Sequence, residues 1–495
     1  MQLLIDTNVL IPLEEANRLL SADLAELARL CDELGISICV HPSQQSDVEQ
    51  DKNVERREHL LSRMQRYTRV QNPPILTLEE KHHHGWREIN RNDVVDNLLL
   101  ACLLRGAVSF LVTEDKGMRR KANASGMGEA VFCIREIIVH LNNLRSTPLS
   151  SPIGIELKYA HEFNVADGFF DSLRESYSGF DNWWIEKCSR GQRQLWAVCD
   201  GIQPRAICLF KHEKNEKVAE NKPILEGDIL KLCTFRVGEK VRGRKVGERF
   251  LYTAFEYAVH HNLSWVYLHT NAEAHSRLID LCLEFGFKLY GSYNGDTVLV
   301  KSMRAPVEQG EIPPLDYSIE FHPYCVDDIS IRKFLVPIMP KYHERLFPDL
   351  SNETYGGEPM FDAIKAIPSS EGNTIKKAYI CHSNIKRMRS GDIVCFYRSD
   401  DRRSIQVIGV IEKAVRVESL DELINLVSKR TVYNMGELAR MVERPCLVIL
   451  FRMMRIIPEV TVESMKQMGV TPSQSISEIA DVAYHSLIPS LSSET

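Results

Sequence analysis

Hydrophobic runs in the first third of the chain are short, aliphatic and closed by acids. LLID (3–6) is the first, and AVSFLVTED (107–115) ends on Asp115 in the same way. Such runs predict buried strands that stop at the surface. Between them stand two helical repeats, ADLAELARLCDELG (22–35) and NDVVDNLLLACLLRG (92–106), the second with Asp93 and Asp96 in its first turns. A further strand, ISICV (36–40), leaves through the polar stretch HPSQQSDVEQD (41–51). This alternation of strand and helix predicts a parallel sheet. In the middle of the chain ILKLCTFRV (229–237) predicts a strand, GERFLYTAFEYAVHH (247–261) a helix, and SWVYLHTNAEAHSRLIDLCLEFGFKLYG (264–291) a strand, a helix and a Gly-Phe exit. The last third is strand-rich, with a Ser-Gly-Asp turn inside 376–417 and a buried strand in RPCLVILFRMMRI (444–456).

Two proline-containing seams, NNLRSTPLSSPIG (142–154) and SMRAPVEQGEIPPLD (302–316), divide the chain into domains expected at 1–147, 151–303 and 316–490. A length of 495 residues agrees with roughly three cores. The net charge of -6 gives no global attraction to nucleic acid or to an anionic membrane, so such binding needs a local patch. Thirteen cysteines without a C-x-x-C pair fit neither a disulfide framework nor a zinc cluster, and suggest thiols in a reducing cytoplasm. No signal peptide and no membrane-spanning run is read. The three consecutive histidines at 82–84 are read as solvated loop, because consecutive side chains point in different directions.

Asp6 followed by Thr and Asn reads on its own either as a strand end with a helix cap or as a ligand. The other acids decide between these. Asp6, Asp47, Asp96 and Asp115 each follow a strand or lie near the start of a helix, positions that gather at the carboxyl edge of a parallel sheet. Carboxylates so gathered need a cation, and oxygen-only ligands suit Mg²⁺ or Mn²⁺. The Asp6-Thr-Asn start, Asp47, the Asp96-Asn-Leu-Leu-Leu-Ala helix and the Val-Thr-Glu-Asp115 strand end resemble a PIN domain, a metal-dependent ribonuclease fold. The resemblance implies a metal site of Asp6, Asp47, Asp96 and Asp115, with Glu49 competing for the place of Asp47 and Thr113 supporting the site. The implied chemistry is phosphodiester hydrolysis by metal-activated water.

In the middle segment a strand, a basic glycine-containing turn and a helix form a pattern suited to a pyrophosphate. Together with FDNWW (180–184), LWAVCDG (195–201) and the strand–helix–Gly-Phe order, residues 155–301 resemble a GNAT acetyltransferase, an α+β fold. The resemblance implies acetyl-CoA held by Arg242, Gly243, Arg244, Lys245, Val246 and Gly247. Two positions depart from the family pattern. Lysine stands at Lys245 where the signature has glycine, and Cys282 stands where a tyrosine often protonates the leaving thiolate.

Around GDIVCFYR (391–398) the third segment resembles PUA-like β-barrels of the ASCH and EVE kind. Basic residues interleave with Tyr379, Phe396 and Tyr397, a mixture that can neutralise phosphates and stack bases. Lys386, Arg389, Tyr397 and Arg398 are the RNA-binding candidates. The whole is read as a cytoplasmic, multidomain ribonuclease acting on tRNA or mRNA, coupled to an acetyl-CoA-binding domain, with a homodimer implied by the pairing habit of PIN domains and no membrane partner. One alternative is an acetyltransferase acting on RNA, an amine or a protein, with a non-catalytic PIN platform. Another is an acetyl-CoA-sensing scaffold.

Overall fold

The computed structural model describes residues 1–14, 21–144, 154–238, 241, 243–306, 311–352, 375–427 and 429–488. They fall into two compact units. The first comprises Met1–Leu149, Ile380–His382 and Arg416–Val448; the second comprises Ser150–Tyr379, Ser383–Val415 and Ile449–Thr495.

The first unit is built on five strands, β1 (Gln2–Ile5), β2 (Ser37–Val40), β3 (Thr68–Arg69), β4 (Phe110–Val112) and β5 (Val131–Phe132), in the order β3-β2-β1-β4-β5. Every pairing is parallel. Leu3, Leu4 and Ile5 are all fully buried, as a central strand covered on both faces requires. The chain winds outward from β1 in both directions, so the switch point lies between β1 and β4. The helix Arg91–Leu104 opens on a reciprocal cap between Asn90 and Asp93 and buries Leu99, Leu100 and Leu103 in the core.

A piece of the third sequence segment completes this unit. Between the helices Leu420–Val427 and Met435–Met441, Lys429 donates to the carbonyls of Gly128 and Val131 and lies 4.8 Å over the Phe132 ring. Arg430 Nε donates to Glu129 Oε1 at 2.9 Å, both side chains being largely buried. The edge of β5 is thereby covered rather than left open for another chain.

The second unit holds a seven-stranded sheet of β6 (Glu156–Tyr159), β7 (Gln194–Asp200), β8 (Gln203–Glu216), β9 (Leu225–Val237), β10 (Trp265–Thr270), β11 (Lys288–Tyr293) and β12 (Asp296–Ser302), ordered β11-β12-β10-β9-β8-β7-β6. β9 and β10 run parallel, joined by the helix Val246–His260, while their flanking neighbours run antiparallel. The third sheet is also mixed. It comprises β13 (Lys333–Ile338), β14 (Lys376–Cys381), β15 (Ile393–Arg398), β16 (Ser404–Val417), β17 (Cys446–Thr461) and β18 (Ser477–Ile479), in the order β14-β17-β16-β15-β13-β18.

The expected β-barrel is corrected here: among the described residues no pairing joins β14 to β18 and closes the sheet. The start of β14 is engaged otherwise. The amides of Ile375 and Lys376 donate to Glu248 Oε1 at 3.0 and 3.3 Å. Arg249, the next residue, makes a bidentate pair with Asp349 at 2.6 and 2.7 Å, with both side chains more than nine-tenths buried. Arg452 lies 5.2 Å over the Phe285 ring. The described residues on either side of the 302–316 seam belong to one compact unit.

Candidate functional sites

At the switch point of the first unit, the Asp6 amide bonds to the Val112 carbonyl at 2.9 Å, tying the end of β1 to the end of β4. The Asp6 carboxylate then accepts from the Thr7 amide, the Asn8 side chain and the Thr113 hydroxyl, each at 2.6 Å. Thr113 also accepts from the Asp115 amide at 3.0 Å, and Asp115 caps the next helix through the Met118 amide at 2.7 Å. Gln44, fully buried, links β1 to the exit of β2 by donating to the Ile5 carbonyl and accepting from the His41 amide. No local periodicity in the sequence singles it out.

The four expected acids act on one another. Burial raises Asp6 above its ordinary value, with Asp115 and Asp47 adding repulsion and the Thr113 and Thr7 hydrogen bonds opposing. Asp96 is pushed up to about 7 by burial, opposed by Lys121 and reinforced by Asp115, Asp6 and Asp93. Asp47 is raised by burial against the pull of Arg91. Glu49 is exposed and accepts from Gln45, whereas Asp47 contributes to the shared field.

The structure departs from the expected Mg²⁺ or Mn²⁺ centre. Among the described residues no group of three or more His, Cys, Asp or Glu is disposed to hold a metal ion. The physical reason is local. Asp6 is satisfied by protein donors, Asp115 Oδ1 caps a helix, and the cation beside Asp96 is Lys121, whose Nζ stands 3.9 Å from Asp96 and 3.0 Å from Asp93.

In the second unit the parallel pairing of β9 with β10 runs from Ile229↔Trp265 to Leu232↔Leu268 and stops. Beyond it β9 continues to pair with β8, and β10 with β12. The two strands therefore part, and a cavity of about 330 Å³ opens between residues 232–235 of β9, 268–270 of β10, the segment 173–183 and Leu278. The turn after β9 leads into the helix Val246–His260. Gly243 and Lys245 both adopt left-handed backbone, with φ of 79° and 54°. The lysine thus holds a backbone conformation that favours glycine. No side chain caps the helix at Lys245. A Cβ on Gly247 would come within 3.0 Å of Leu281 and 3.7 Å of Phe235, so glycine there permits close packing of helix on strand. Arg244 and Lys245 are half-buried and Val246 is buried, while Arg242 lies outside the described residues.

Cys282 is corrected as a proton donor. It is fully buried and does not line the cavity, where Leu278 stands one turn earlier. Burial also pushes its thiol up, so it releases a proton less readily than an ordinary thiol. The cavity instead presents Tyr177, His269, Thr270 and His275. Sequence reading missed these because no spacing rule joins a tyrosine before β7 to a histidine after β10.

The basic stripe of the third segment splits. Lys386 and Arg389 are exposed. Tyr397 is buried in a core with Leu335 and Ile405, and Tyr379 and Phe396 are also buried. Arg398 is buried and paired with Asp401 and, at 2.8 Å, Glu344. The expected base-stacking surface is corrected at Tyr397 and Arg398: the ring has no free face and the guanidinium is already neutralised.

No protein-family model matches the chain, and no curated protein matches it. Solved structures do. An ASCH protein from Zymomonas mobilis matches at 11% identity and a TM-score of 0.24, over 31% of this chain and 92% of its own. A GNAT family acetyltransferase from Elizabethkingia anophelis with acetyl-CoA bound matches at 12% identity and a TM-score of 0.23, over 30% of this chain and 98% of its own. The IAA acetyltransferase from Bacillus cereus gives 13% identity and a TM-score of 0.22, over 30% and 99%. Among the described residues no helix is long and apolar enough to cross a membrane.

Proposed function

We propose that the second unit is an acyltransferase that binds acetyl-CoA, its pyrophosphate on the 243–247 turn and its thioester in the cavity between β9 and β10. The observation that carries this reading is the parting of a parallel strand pair beyond Leu232 and Leu268, beside an uncapped helix start. Amide groups at such a start, together with the positive end of the helix, favour a pyrophosphate. The freed edge of β9 offers backbone groups to an extended amide-bearing arm such as pantetheine. Gly247→Val tests the reading by calorimetric titration with acetyl-CoA. The variant is expected to bind at least about 10-fold more weakly, on the order of 1.4 kcal/mol. Equal affinity in the two proteins would contradict the proposed seat of the pyrophosphate.

A second reading, cleavage of RNA at the first unit, is favoured by the four acids that share one electrostatic site at the switch point. Asp6 accepts from Asn8 and Thr113, and the Lys121 ammonium stands 3.9 Å from Asp96, so these two carboxylates face protein groups. Incubating the protein with a mixed tRNA and mRNA pool and Mn²⁺ decides it. Cleavage that disappears in Asp96→Asn supports the reading, and an intact pool sinks it.

A further inference from the structure

We infer that His275 is the general base of the second unit, accepting a proton from a small primary amine that carries an aromatic or apolar body. The inference rests on the acetyl-CoA reading above and names its acceptor and its proton acceptor. His275 lines the cavity at the start of the helix Ser276–Glu284, and its Nδ1 lies 3.2 Å from the hydroxyl of buried Thr270 at the end of β10. With Nδ1–H donating to Thr270 Oγ1, Nε2 keeps its lone pair for the acceptor. The Tyr177 ring stacks on the imidazole, centroids 6.3 Å apart and planes 22° apart, and holds it from the other wall.

The charged and titratable groups that bear on His275 are Asp296 from β12 and Arg236 from β9, besides Tyr177. Burial lowers its pKa from the ordinary 6.5, with Asp296 opposing and Arg236 lowering it further, a balance that favours the neutral ring. His269, the other cavity histidine, is committed elsewhere: its Nε2 bonds the Val218 carbonyl at 2.9 Å and its ring stacks on Tyr293.

The acceptor class follows from the walls. Tyr177, Phe180 and Trp183 contribute aromatic rings, that of Trp183 already facing the Arg193 guanidinium at 5.7 Å, and among the described residues that line the cavity none is Asp, Glu, Lys or Arg. Aromatic walls enclose an apolar body beside one ammonium group, and the one carboxylate that bears on His275, Asp296, leaves the further charges of a polyamine unpaired. In the reaction the ammonium gives one proton to His275 Nε2, which passes it to water. The free amine attacks the thioester carbonyl, and the C–N bond forms. The C–S bond then breaks, the second nitrogen proton leaves with the collapse, and the departing thiolate takes it up. One amide, one thiol and one released proton result.

Acetyl transfer from acetyl-CoA to tryptamine, benzylamine and spermidine, followed from pH 5 to 9 in wild type and His275→Gln, tests this, with coenzyme A affinity measured by calorimetry on both proteins. Tryptamine and benzylamine are expected to be acetylated at least about 10-fold faster than spermidine. His275→Gln is expected to lose about 100-fold in kcat/KM, together with the acid limb of the profile, at unchanged coenzyme affinity. If both proteins bind coenzyme A and the variant keeps its rate and profile, or His269→Gln removes the acid limb instead, His275 is not the base. Coenzyme binding without acetylation of either arylalkylamine overturns the acceptor class. Absence of coenzyme binding in wild type overturns the underlying reading, and this inference with it.

Discussion

Asp96 carries the clearest single-residue consequence. Its carboxyl, pushed up to about 7, holds a proton more tightly in the folded chain than in the unfolded one, whose ordinary value is 3.8. The stability it contributes is therefore full below the unfolded value and is lost as pH climbs through the window to about 7. Asp96→Asn removes that penalty. Thermal melts are expected to show the variant gaining on the order of 1–3 kcal/mol at pH 8 and little at pH 4.5. A gain equal at both pH values would mean that the carboxyl is not strained by its neighbours. Arg249 is the second residue to test. Replacing it with Ala strands the Asp349 carboxylate in a buried site, and chemical denaturation is expected to show a loss of about 3–5 kcal/mol. The double variant Arg249→Met with Asp349→Leu is expected to lose less, since no uncompensated charge remains. The Arg249–Asp349 pairing is not legible in the sequence, because the two residues lie 100 positions apart.

Among the elements, those carried by continuous aliphatic runs were legible. LLID, ISICV and AVSFLV gave β1, β2 and β4, and ILKLCTFRV and GERFLYTAFEYAVHH gave the end of β9 and the helix Val246–His260. Chemistry set by distant partners was not legible. Lys377 reads as a member of a basic stripe, yet it is buried, donates to the Leu346 carbonyl at 2.7 Å and is driven down to about 7 by that burial. Phe396 and Tyr397 read equally as stacking platform or core, since alternation along a strand says nothing of which face is covered. The turn before the helix Val246–His260 allows an element-scale prediction. Lys245 sits at φ 54°, where β-branched residues are strained. Lys245→Val is expected to cost about 1–2 kcal/mol, and Lys245→Gly to be near neutral, by denaturant titration. Equal losses would show that the left-handed turn is not required.

For the molecule as a whole, the boundaries of sequence and of structure do not coincide. The segment Arg416–Val448 belongs with the first unit although about 270 residues of chain separate it from the 142–154 seam. Lys429 and Arg430 show why: they supply the cations that Glu129 and Glu136 face beside β5. Arg119 and Lys429 together hold Glu136 down at about 2 despite its burial. A fragment of residues 1–147 alone is expected to show faster amide exchange at 128–132 than the full chain, and Lys429→Ala with Arg430→Ala to reproduce that change. Unchanged protection would mean that the segment only rests on the unit.

The central claim, that acetyl-CoA is held where β9 and β10 part, is tested most directly by amide exchange of the full chain with and without acetyl-CoA. Slowed exchange is predicted at 232–236, 243–249 and 268–271. Protection confined to other segments, or none at saturating ligand, would contradict it.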